Sequence, residues 1–346
     1  MTTLDYGRRV MRVGPGMLVD ARSLVLCTIL WSIIAVLAIF AVTTGSASIS
    51  LGEVVDVIRG RGDDYTSMVV GEWRAPRVVL AIILGVCLAL SGAIFQNLTR
   101  NPLGSPDVIG FQTGAFTGAL VVMLVLRGGA AATMMGALAG GIATALVVFF
   151  LSSSQGAVKA VRLIIVGIGV GAMLSSFNVW LMLTATVEDA TMAGLWGAGN
   201  LSGASWQTVV VVGVGSGAFV LGAAVLGRPL RLQQIGVPFA TALGQNVRLV
   251  QVAALLVGIG LTAVATASVG PISFIALASP QIARRLARTD GLALGPSAAV
   301  GALLLLLADV TAQRIYPVSP LPVGIVTVSI GGLYFLWLLL REGKNR

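Results

Sequence analysis

Long apolar runs separated by short polar segments form the pattern of this chain. Nine runs approach the roughly 20 apolar residues that a helix needs to cross a bilayer, and they are continuous rather than alternating, which favours helices over a transmembrane barrel. A tenth run, Ile272–Leu286, is weaker because Pro280 and Gln281 interrupt it and two arginines end it. The nine strong segments are Leu24–Val42, Val78–Phe95, Val108–Leu126, Ala130–Leu151, Leu163–Leu183, Thr208–Leu226, Leu249–Ala267, Leu292–Val310 and Val323–Leu340.

Composition agrees with a membrane protein. The chain is 57% hydrophobic and only 10% charged, whereas soluble domains carry about 25% charged residues. In a soluble protein, a net charge of +9 would suggest that the protein binds nucleic acid. Here the basic residues lie between apolar spans, as membrane orientation requires, and no nucleic-acid partner is expected. The predicted fold class is an all-α polytopic membrane protein.

The sidedness of positive charge decides whether the weak run crosses. With ten spans and a cytoplasmic N-terminus, 16 of the 22 Lys and Arg residues face the cytoplasm; without the weak span they divide 11 to 11. The positive-inside rule prefers the asymmetric arrangement. We therefore predict ten transmembrane helices with both termini cytoplasmic: a tail over 1–23, a single domain over 24–340 and a tail over 341–346.

Candidate chemistry is sparse. Without histidine, a His-ligated metal site or a His-based triad is excluded, and Cys27 and Cys87 lie in apolar runs as small buried side chains would. Neither Lys159 nor Lys344 fits the phosphate-binding loop G-x-x-x-x-G-K-[ST]. We expect no catalytic residue, no cofactor and no metal, and any ATP hydrolysis would belong to another subunit.

Carboxylates inside the membrane are also scarce. Asp309 lies near the outer end of the ninth span, where a helix-end hydrogen bond is favoured over a proton relay, and Asp107 lies at a cytoplasmic end. Ion-coupled transporters usually keep polar groups deep in the bundle, so their absence lowers the expectation of ion-driven transport. The 44 glycines are interpreted mainly as sites of close helix packing.

Three connections between the spans contain most of the remaining candidates for a functional role. Leu98–Gly110 is predicted to be a cytoplasmic loop stiffened by its prolines, with Asp107 capping the next helix. Gly227–Val250 is the longest cytoplasmic connection, and its "VPFATALGQ" predicts a short helix ending near Gly244, serving as a partner's docking surface or as an interfacial helix. Outside, Arg74 and Arg77 of "EWRAPRVV" fit an interfacial belt or a positive patch for an extracytoplasmic partner.

Five ordered blocks resemble the FecCD-type permease subunits of ABC importers for iron–siderophores and vitamin B12. They are "RAPRVV", "SGAIFQNLTRNPLGSPDVIG", "RPLRLQQIGVPFATALG", "VGPISFIALASPQIARRL" and "LPVGIVTVSIGGLYFLWLL", spread over nearly the whole chain. The resemblance implies ten helices per permease, two permeases per importer, and a multi-pass location in the cytoplasmic (inner) membrane.

The resemblance also implies roles for particular positions. An ATPase coupling loop would contain Gly236, Ala240, Leu243 and Gly244. A cytoplasmic gate would contain Asn101 and Leu103, and the fifth span would line the pore. The arginines that dock the extracytoplasmic binding protein would be Arg74, Arg77 and Arg314. The third docking arginine of some relatives aligns with Gln313, however, and Arg314 follows one residue later, about 100° further around the helix.

Pro280–Gln281 stands where many members of the family have Pro–His, and this favours the ferric-catecholate (enterobactin-type) branch. The resemblance thus implies a permease that imports a ferric siderophore with cytoplasmic ATPase subunits, a second and non-identical FecCD-type permease and a siderophore-binding protein. A haem or vitamin B12 permease of the same family is the alternative. An ion-coupled secondary transporter and an intramembrane enzyme are the less favoured classes.

Overall fold

The computed structural model describes residues 3–5, 9–14, 17–45, 49–107, 110–154, 157–158, 160–289, 291–315 and 321–343. Among these residues, the short strands β1 Thr3–Asp5, β2 Arg9–Gly14 and β3 Met17–Asp20 form one antiparallel sheet, and β4 Ser153–Ser154 and β5 Ala157–Val158 form another. Two π-helical segments are Met68–Arg74 and Val121–Val125. The α-helices are α1 Ala21–Thr43, α2 Leu51–Ile58, α3 Asp64–Ser67, α4 Ala75–Thr99, α5 Phe111–Leu120, α6 Ala130–Ser152, α7 Ala160–Thr184, α8 Val187–Gly197, α9 Trp206–Ile235, α10 Val237–Ala242, α11 Val247–Val269, α12 Ile275–Ala287, α13 Leu294–Ile315 and α14 Val323–Gly343.

Seven helical stretches among the described residues are long and apolar enough to cross a membrane. They coincide with seven of the nine strong predicted segments. The third predicted span is shorter, over Phe111–Val125, and the last has an apolar core over Val323–Tyr334. The weak run is helical as well, but α12 has only 13 residues. The all-helical membrane architecture is confirmed, while the number of crossings stays a prediction.

Two predicted boundaries were wrong. Helix α9 does not end at Leu226 but continues through Pro229 to Ile235, so the connection to α11 is shorter than expected. At 30 residues, about 45 Å, α9 extends beyond a hydrocarbon core about 30 Å thick. The helix of the second predicted span also begins well before Val78, because α3, a π-helical segment and α4 form one helical stretch of 36 residues from Asp64 to Thr99.

The small helix α2 shows how short sequences fix these boundaries. Ser50 and Glu53 form a capping box, in which each side chain accepts a hydrogen bond from the other residue's backbone N–H. Hydrogen bonds from the side chain and backbone of Ser50 lower the pKa of the Glu53 carboxyl. The helix therefore begins where it does because its free N–H groups have local acceptors.

Helix α4 is the centre of the bundle, and glycine lets its neighbours approach. A Cβ on Gly85 would lie 2.4 Å from the carbonyl oxygen of Gly301 in α13, and one on Gly92 would lie 1.7 Å from that of Ala276 in α12. Its third neighbour, α11, is held by the buried Ser91 hydroxyl, which donates to the carbonyl of Gly258 at 2.7 Å. Backbone contact of this kind stabilises helices in lipid, where packing rather than water exclusion drives association.

Candidate docking, coupling and gate sites

Arg77 and Asp309 form a buried ion pair between α4 and α13. Nε of Arg77 lies 3.0 and 3.1 Å from the two carboxylate oxygens, and Nη2 lies 2.8 Å from Oδ1. Side-chain exposure is 14% for the arginine and 1% for the aspartate. Gln313 adds a third donor through its Nε2 at 2.8 Å. Sequence reasoning had expected a helix-end hydrogen bond for Asp309 and had not found its arginine partner, which is 232 residues away.

The other two predicted docking arginines contact the carboxyl end of α1. Nη1 of Arg74 donates to the carbonyl oxygen of Val42 at 2.8 Å, where a cation also interacts favourably with the helix dipole. Arg314 is exposed, donates to the Thr44 hydroxyl at 2.8 Å and lies 4.3 Å above the Phe40 ring. The three arginines predicted from distant parts of the sequence thus gather at one end of the bundle, around α1, α4 and α13.

The predicted coupling loop is a short helix with an apolar exposed face. Helix α10 runs from Val237 to Ala242, as the sequence indicated, and glycines flank it. Gly244 has a φ of 79°, a left-handed conformation that glycine adopts without a Cβ clash. Ala240 is fully buried, whereas Phe239 and Leu243 are 48% and 61% exposed. The apolar surface offered to a partner therefore consists of residues on either side of Ala240.

The predicted gate residues lie in a tight turn after α4. Oδ1 of Asn101 accepts the Leu103 N–H at 2.9 Å, and its carbonyl accepts the Gly104 N–H at 2.9 Å, so the side chain and backbone both close the turn. Nε2 of Gln281 in α12 donates to the carbonyl of Pro102 at 2.8 Å. The turn is therefore fastened to α12 by a side chain that the sequence had marked only as a departure from the family pattern.

A second contact ties α12 to α4 near this turn. Arg284 donates to Oε1 of Gln96 at 3.0 Å, and Nε2 of Gln96 donates to the carbonyl of Leu277 at 2.9 Å. On the other side, Nη2 of Arg100 donates to the carbonyl of Gln233 in α9 at 3.3 Å. These bonds join the ends of α4, α9 and α12, so a movement of one helix end acts on the gate turn.

The rest of the predicted cytoplasmic loop enters the bundle. Gly104, Ser105 and Pro106 are buried, and Asp107 does not cap α5, whose N-cap is Gly110 without a side-chain hydrogen bond. Oδ2 of Asp107 instead accepts the N–H of Phe274 at 3.2 Å. The expectation that Asp107 caps the next helix was therefore wrong.

This interior contact joins two non-helical segments. Residues 104–107 precede α5, and residues 270–274 precede α12. Nε2 of Gln112 donates to the carbonyl of Ile272 at 3.0 Å, and Ser273 donates to Oε1 of Gln112 at 3.2 Å. Such side-chain bonds satisfy backbone groups that have no helical partner, which irregular segments within a membrane bundle require. Local sequence could not reveal these bonds, because their partners are 160 residues or more apart.

Helix α7, the predicted pore-lining span, has one buried face and one open face. The buried positions recur at helical spacing: Leu163, Gly167, Gly171, Asn178 and Leu181. Ile168, Met173 and Trp180 are on the open side, at 56%, 74% and 57% exposure. The structure thus identifies the face of α7 that is free to meet a pore or a second subunit.

The described residues contain no group of three or more His, Cys, Asp or Glu that could hold a metal ion. Cys27 and Cys87 are separate free thiols, and Cys87 is completely buried in α4. What the geometry offers is a set of surfaces at opposite ends of a helical bundle: arginines at one end, and an apolar helix with a tethered turn at the other.

This chain is similar to several known transport permeases over most of its length. The ferric enterobactin transport system permease protein of Escherichia coli (strain K12) is 44% identical, and the alignment covers 95% of this chain and 99% of that protein. The hemin transport system permease protein of Yersinia pestis is 36% identical over 79% and 83% of the two chains. The iron(3+)-hydroxamate import system permease protein of Bacillus subtilis (strain 168) is 30% identical over 92% and 98%.

A solved structure shares the fold. A metal-chelate type ABC transporter in an inward-facing conformation superposes with a TM-score of 0.81 at 23% sequence identity, covering 91% of this chain and 99% of that one. The model of the FecCD transport family matches residues 33–341, nearly the whole chain. This protein is therefore a member of the FecCD transport family.

Proposed function

We propose that this chain is the membrane-spanning permease subunit of an ATP-binding cassette importer that moves a ferric siderophore across the cytoplasmic membrane. The observation that carries the proposal is the 44% identity to a ferric enterobactin permease along almost the full length of both chains. The relative named for hemin is 36% identical over a smaller share of both proteins, so haem is the second candidate cargo. The chain itself would perform no chemistry.

Ten crossings with both ends in the cytoplasm remain the proposed topology. Contacts between helix ends support it. Arg77 and Asp309 would both lie at the outer surface, and so would Arg314 and Thr44; their bonds require the paired ends to be on one side. In the same way, the bond from Arg284 to Gln96 joins two ends that would both be cytoplasmic. For this arrangement α12 would have to cross together with the non-helical residues 270–274.

The α10 loop is the proposed site where the ATPase grips the permease. Exposed apolar side chains are unfavourable in water unless a partner covers them, and Phe239 and Leu243 are exposed in the connection between α9 and α11. Buried Ala240 would hold the loop's shape, and Gly236 and Gly244 would permit its sharp entry and exit. Movement of the loop would reach α9 directly, because Ile235 and Gly236 are consecutive.

At the outer end, the three arginines would receive acidic residues of the binding protein. Arg314 is the most accessible of them and would contribute most of the electrostatic attraction. Arg77 would contribute least, because Asp309 already neutralises its charge. In this proposal Arg77 chiefly holds α4 against α13 and so keeps the docking surface in shape.

The transport cycle follows from these surfaces. Binding protein loaded with siderophore docks outside, ATP closes the partner ATPases, and α10 carries that movement to the turn containing Asn101 and Leu103. The turn would open the pore as a unit, since its internal bonds are separate from the Gln281 bond that ties it to α12. This is alternating access by movement of packed elements. A second, non-identical FecCD-type permease would cover the open face of α7.

Uptake by the reconstituted importer tests the proposal. Proteoliposomes would contain this chain, its partner permease and its ATPase, with the loaded binding protein outside. We expect ATP-dependent accumulation of ferric enterobactin, with haem and cobalamin failing to compete. Preferential uptake of haem would transfer the assignment to the alternative cargo. Uptake that collapses with an uncoupler while ATP is constant would instead identify an ion-coupled transporter.

A further inference from the structure

A long groove runs beside the first half of α1, away from the docking, coupling and gate surfaces. It encloses about 960 Å³ and is walled by one face of α1, by Arg231 and Gln234 near the end of α9, and by the connection from α12 to α13. The residues of this wall that line the groove recur every three or four positions, from the cap residue Asp20 to Ala35 in α1. One helix therefore forms a continuous wall along the whole groove.

The length of this wall matches one leaflet of a bilayer. Asp20 and Ala35 are 15 residues apart, which corresponds to about 22 Å along a helix, and one leaflet together with its headgroup region is about 20–22 Å thick. Because Asp20 caps the start of α1, the groove runs from the membrane surface towards the midplane. Its direction is that of a lipid acyl chain.

The polarity of the groove changes along its length. Asp20, Arg231 and Thr289 are at the surface end, while Trp31 and Ala35 line the deep end. The hydroxyls of Thr28 and Ser32 also line the groove, but both donate hydrogen bonds to backbone carbonyls of α1. Thr28 donates to the carbonyl of Leu24, and Ser32 donates to that of Thr28. The deeper wall is therefore apolar in character, although its sequence contains Thr and Ser.

The two charges at the surface end are of opposite sign and are not paired with each other. Asp20 uses one carboxylate oxygen to accept the Arg22 N–H at 3.0 Å. No ion pair within 4.0 Å joins Asp20 to Arg231, both of which belong to the described part of the chain, so the two charges line one groove without neutralising each other. A guanidinium suits a phosphate and a carboxylate suits an ammonium group.

We propose that the groove binds one phospholipid with a zwitterionic ethanolamine headgroup. Its phosphate would contact Arg231, its ammonium Asp20, and one acyl chain would lie along α1 past Cys27 and Trp31. The lipid site is at the end of the bundle that carries α10; assigning it to the cytoplasmic leaflet is the one part that rests on the proposed topology. A bound lipid would brace α1 against the last turns of α9.

The two cysteines allow a direct test. Cys27 lines the groove, whereas Cys87 is completely buried. The purified full chain in detergent, stripped of lipid, would be alkylated with N-ethylmaleimide in the presence of phosphatidylethanolamine, phosphatidylglycerol or phosphatidylcholine. We expect Cys27 to react in lipid-free protein and to be protected best by phosphatidylethanolamine, with native mass spectrometry showing one retained lipid. A Cys27→Ser variant should lose the labelling.

Substitutions then separate headgroup recognition from general coating by lipid. Arg231→Gln should weaken protection by about tenfold or more, the loss expected for a charge-assisted hydrogen bond. Asp20→Asn preserves the helix cap and should erase the preference for ethanolamine over choline. Arg228→Gln, which removes an exposed arginine of α9 outside the groove, should behave as the unmodified chain.

Three results would overturn the proposal. They are equal protection by all three lipids, unchanged protection in Arg231→Gln, and protection of Cys27 by the ATPase or partner permease without lipid. None of these bears on uptake of ferric enterobactin. Conversely, failure of that uptake experiment would leave the lipid measurements intact.

Discussion

The buried pair between Arg77 and Asp309 makes a quantitative prediction about stability. Arg77→Leu would leave a carboxylate with 1% side-chain exposure without its cation, and breaking a buried pair in this way typically costs about 3–5 kcal/mol. That is a large fraction of the roughly 5–15 kcal/mol by which folded domains are stable. Replacing both residues with leucine should recover most of the loss, because the double variant leaves no uncompensated charge.

The accessibility of Cys87 provides the assay. In a Cys27→Ser background, a thiol-reactive dye would report heat unfolding as the buried Cys87 in α4 becomes exposed. Arg77→Leu should lower the unfolding temperature clearly, and the double variant should return towards the parent. If Arg77→Leu unfolds with the parent, or if the double variant is no better than Arg77→Leu, the pair does not hold α4 to α13.

The matched experiment on Arg314 separates stability from docking. Arg314→Glu changes an exposed arginine at the same end of the bundle, so the unfolding temperature should stay nearly constant while affinity for the binding protein falls. Affinity would be measured at low salt, where surface electrostatics are least screened. Equal affinity for Arg314→Glu and the unmodified chain would remove Arg314 from the docking surface.

Three further changes address the other end and the core. Leu243→Asp places a charge on the exposed face beside α10 and should reduce transport coupled to ATP hydrolysis while leaving the fold intact, as measured by uptake per ATP consumed. Gln281→Leu leaves the carbonyl of Pro102 without its donor, costing about 1–3 kcal/mol, and should raise proteolysis of the gate turn. Gly92→Val drives a side chain into the backbone at Ala276 and should destabilise the bundle by about 1–3 kcal/mol or more, seen as a lower unfolding temperature.

Control variants match each of these changes. Leu51→Asp alters an exposed leucine at the other end of the bundle, and Gln207→Leu alters an exposed glutamine at the start of α9. Gly71→Val adds a side chain whose Cβ meets nothing within 4 Å. Equal effects of a variant and its control would show that charge, polarity or bulk alone is responsible, and would reject the specific contact.

Local features of the sequence were sufficient for the helices and for the short α10. Apolar runs of span length must be helical in lipid because every backbone polar group needs an internal partner, so segment and element coincide closely. Gly236 and Gly244 bracket α10 because glycine tolerates the turns there. The predicted end of α9 failed because Pro229, usually a signal for termination, is accommodated inside the helix.

The sequence by itself therefore determined a helical membrane protein and its family, and it predicted functional surfaces at the two ends of the bundle. Tertiary structure alone decided which charges are neutralised and where the chain enters the bundle. Arg77 meets Asp309, and Asp107 meets Phe274, across separations of 232 and 167 residues. Periodicity and hydropathy report only neighbours along a helix, whereas ion pairs and backbone satisfaction inside the bundle depend on how distant helices pack.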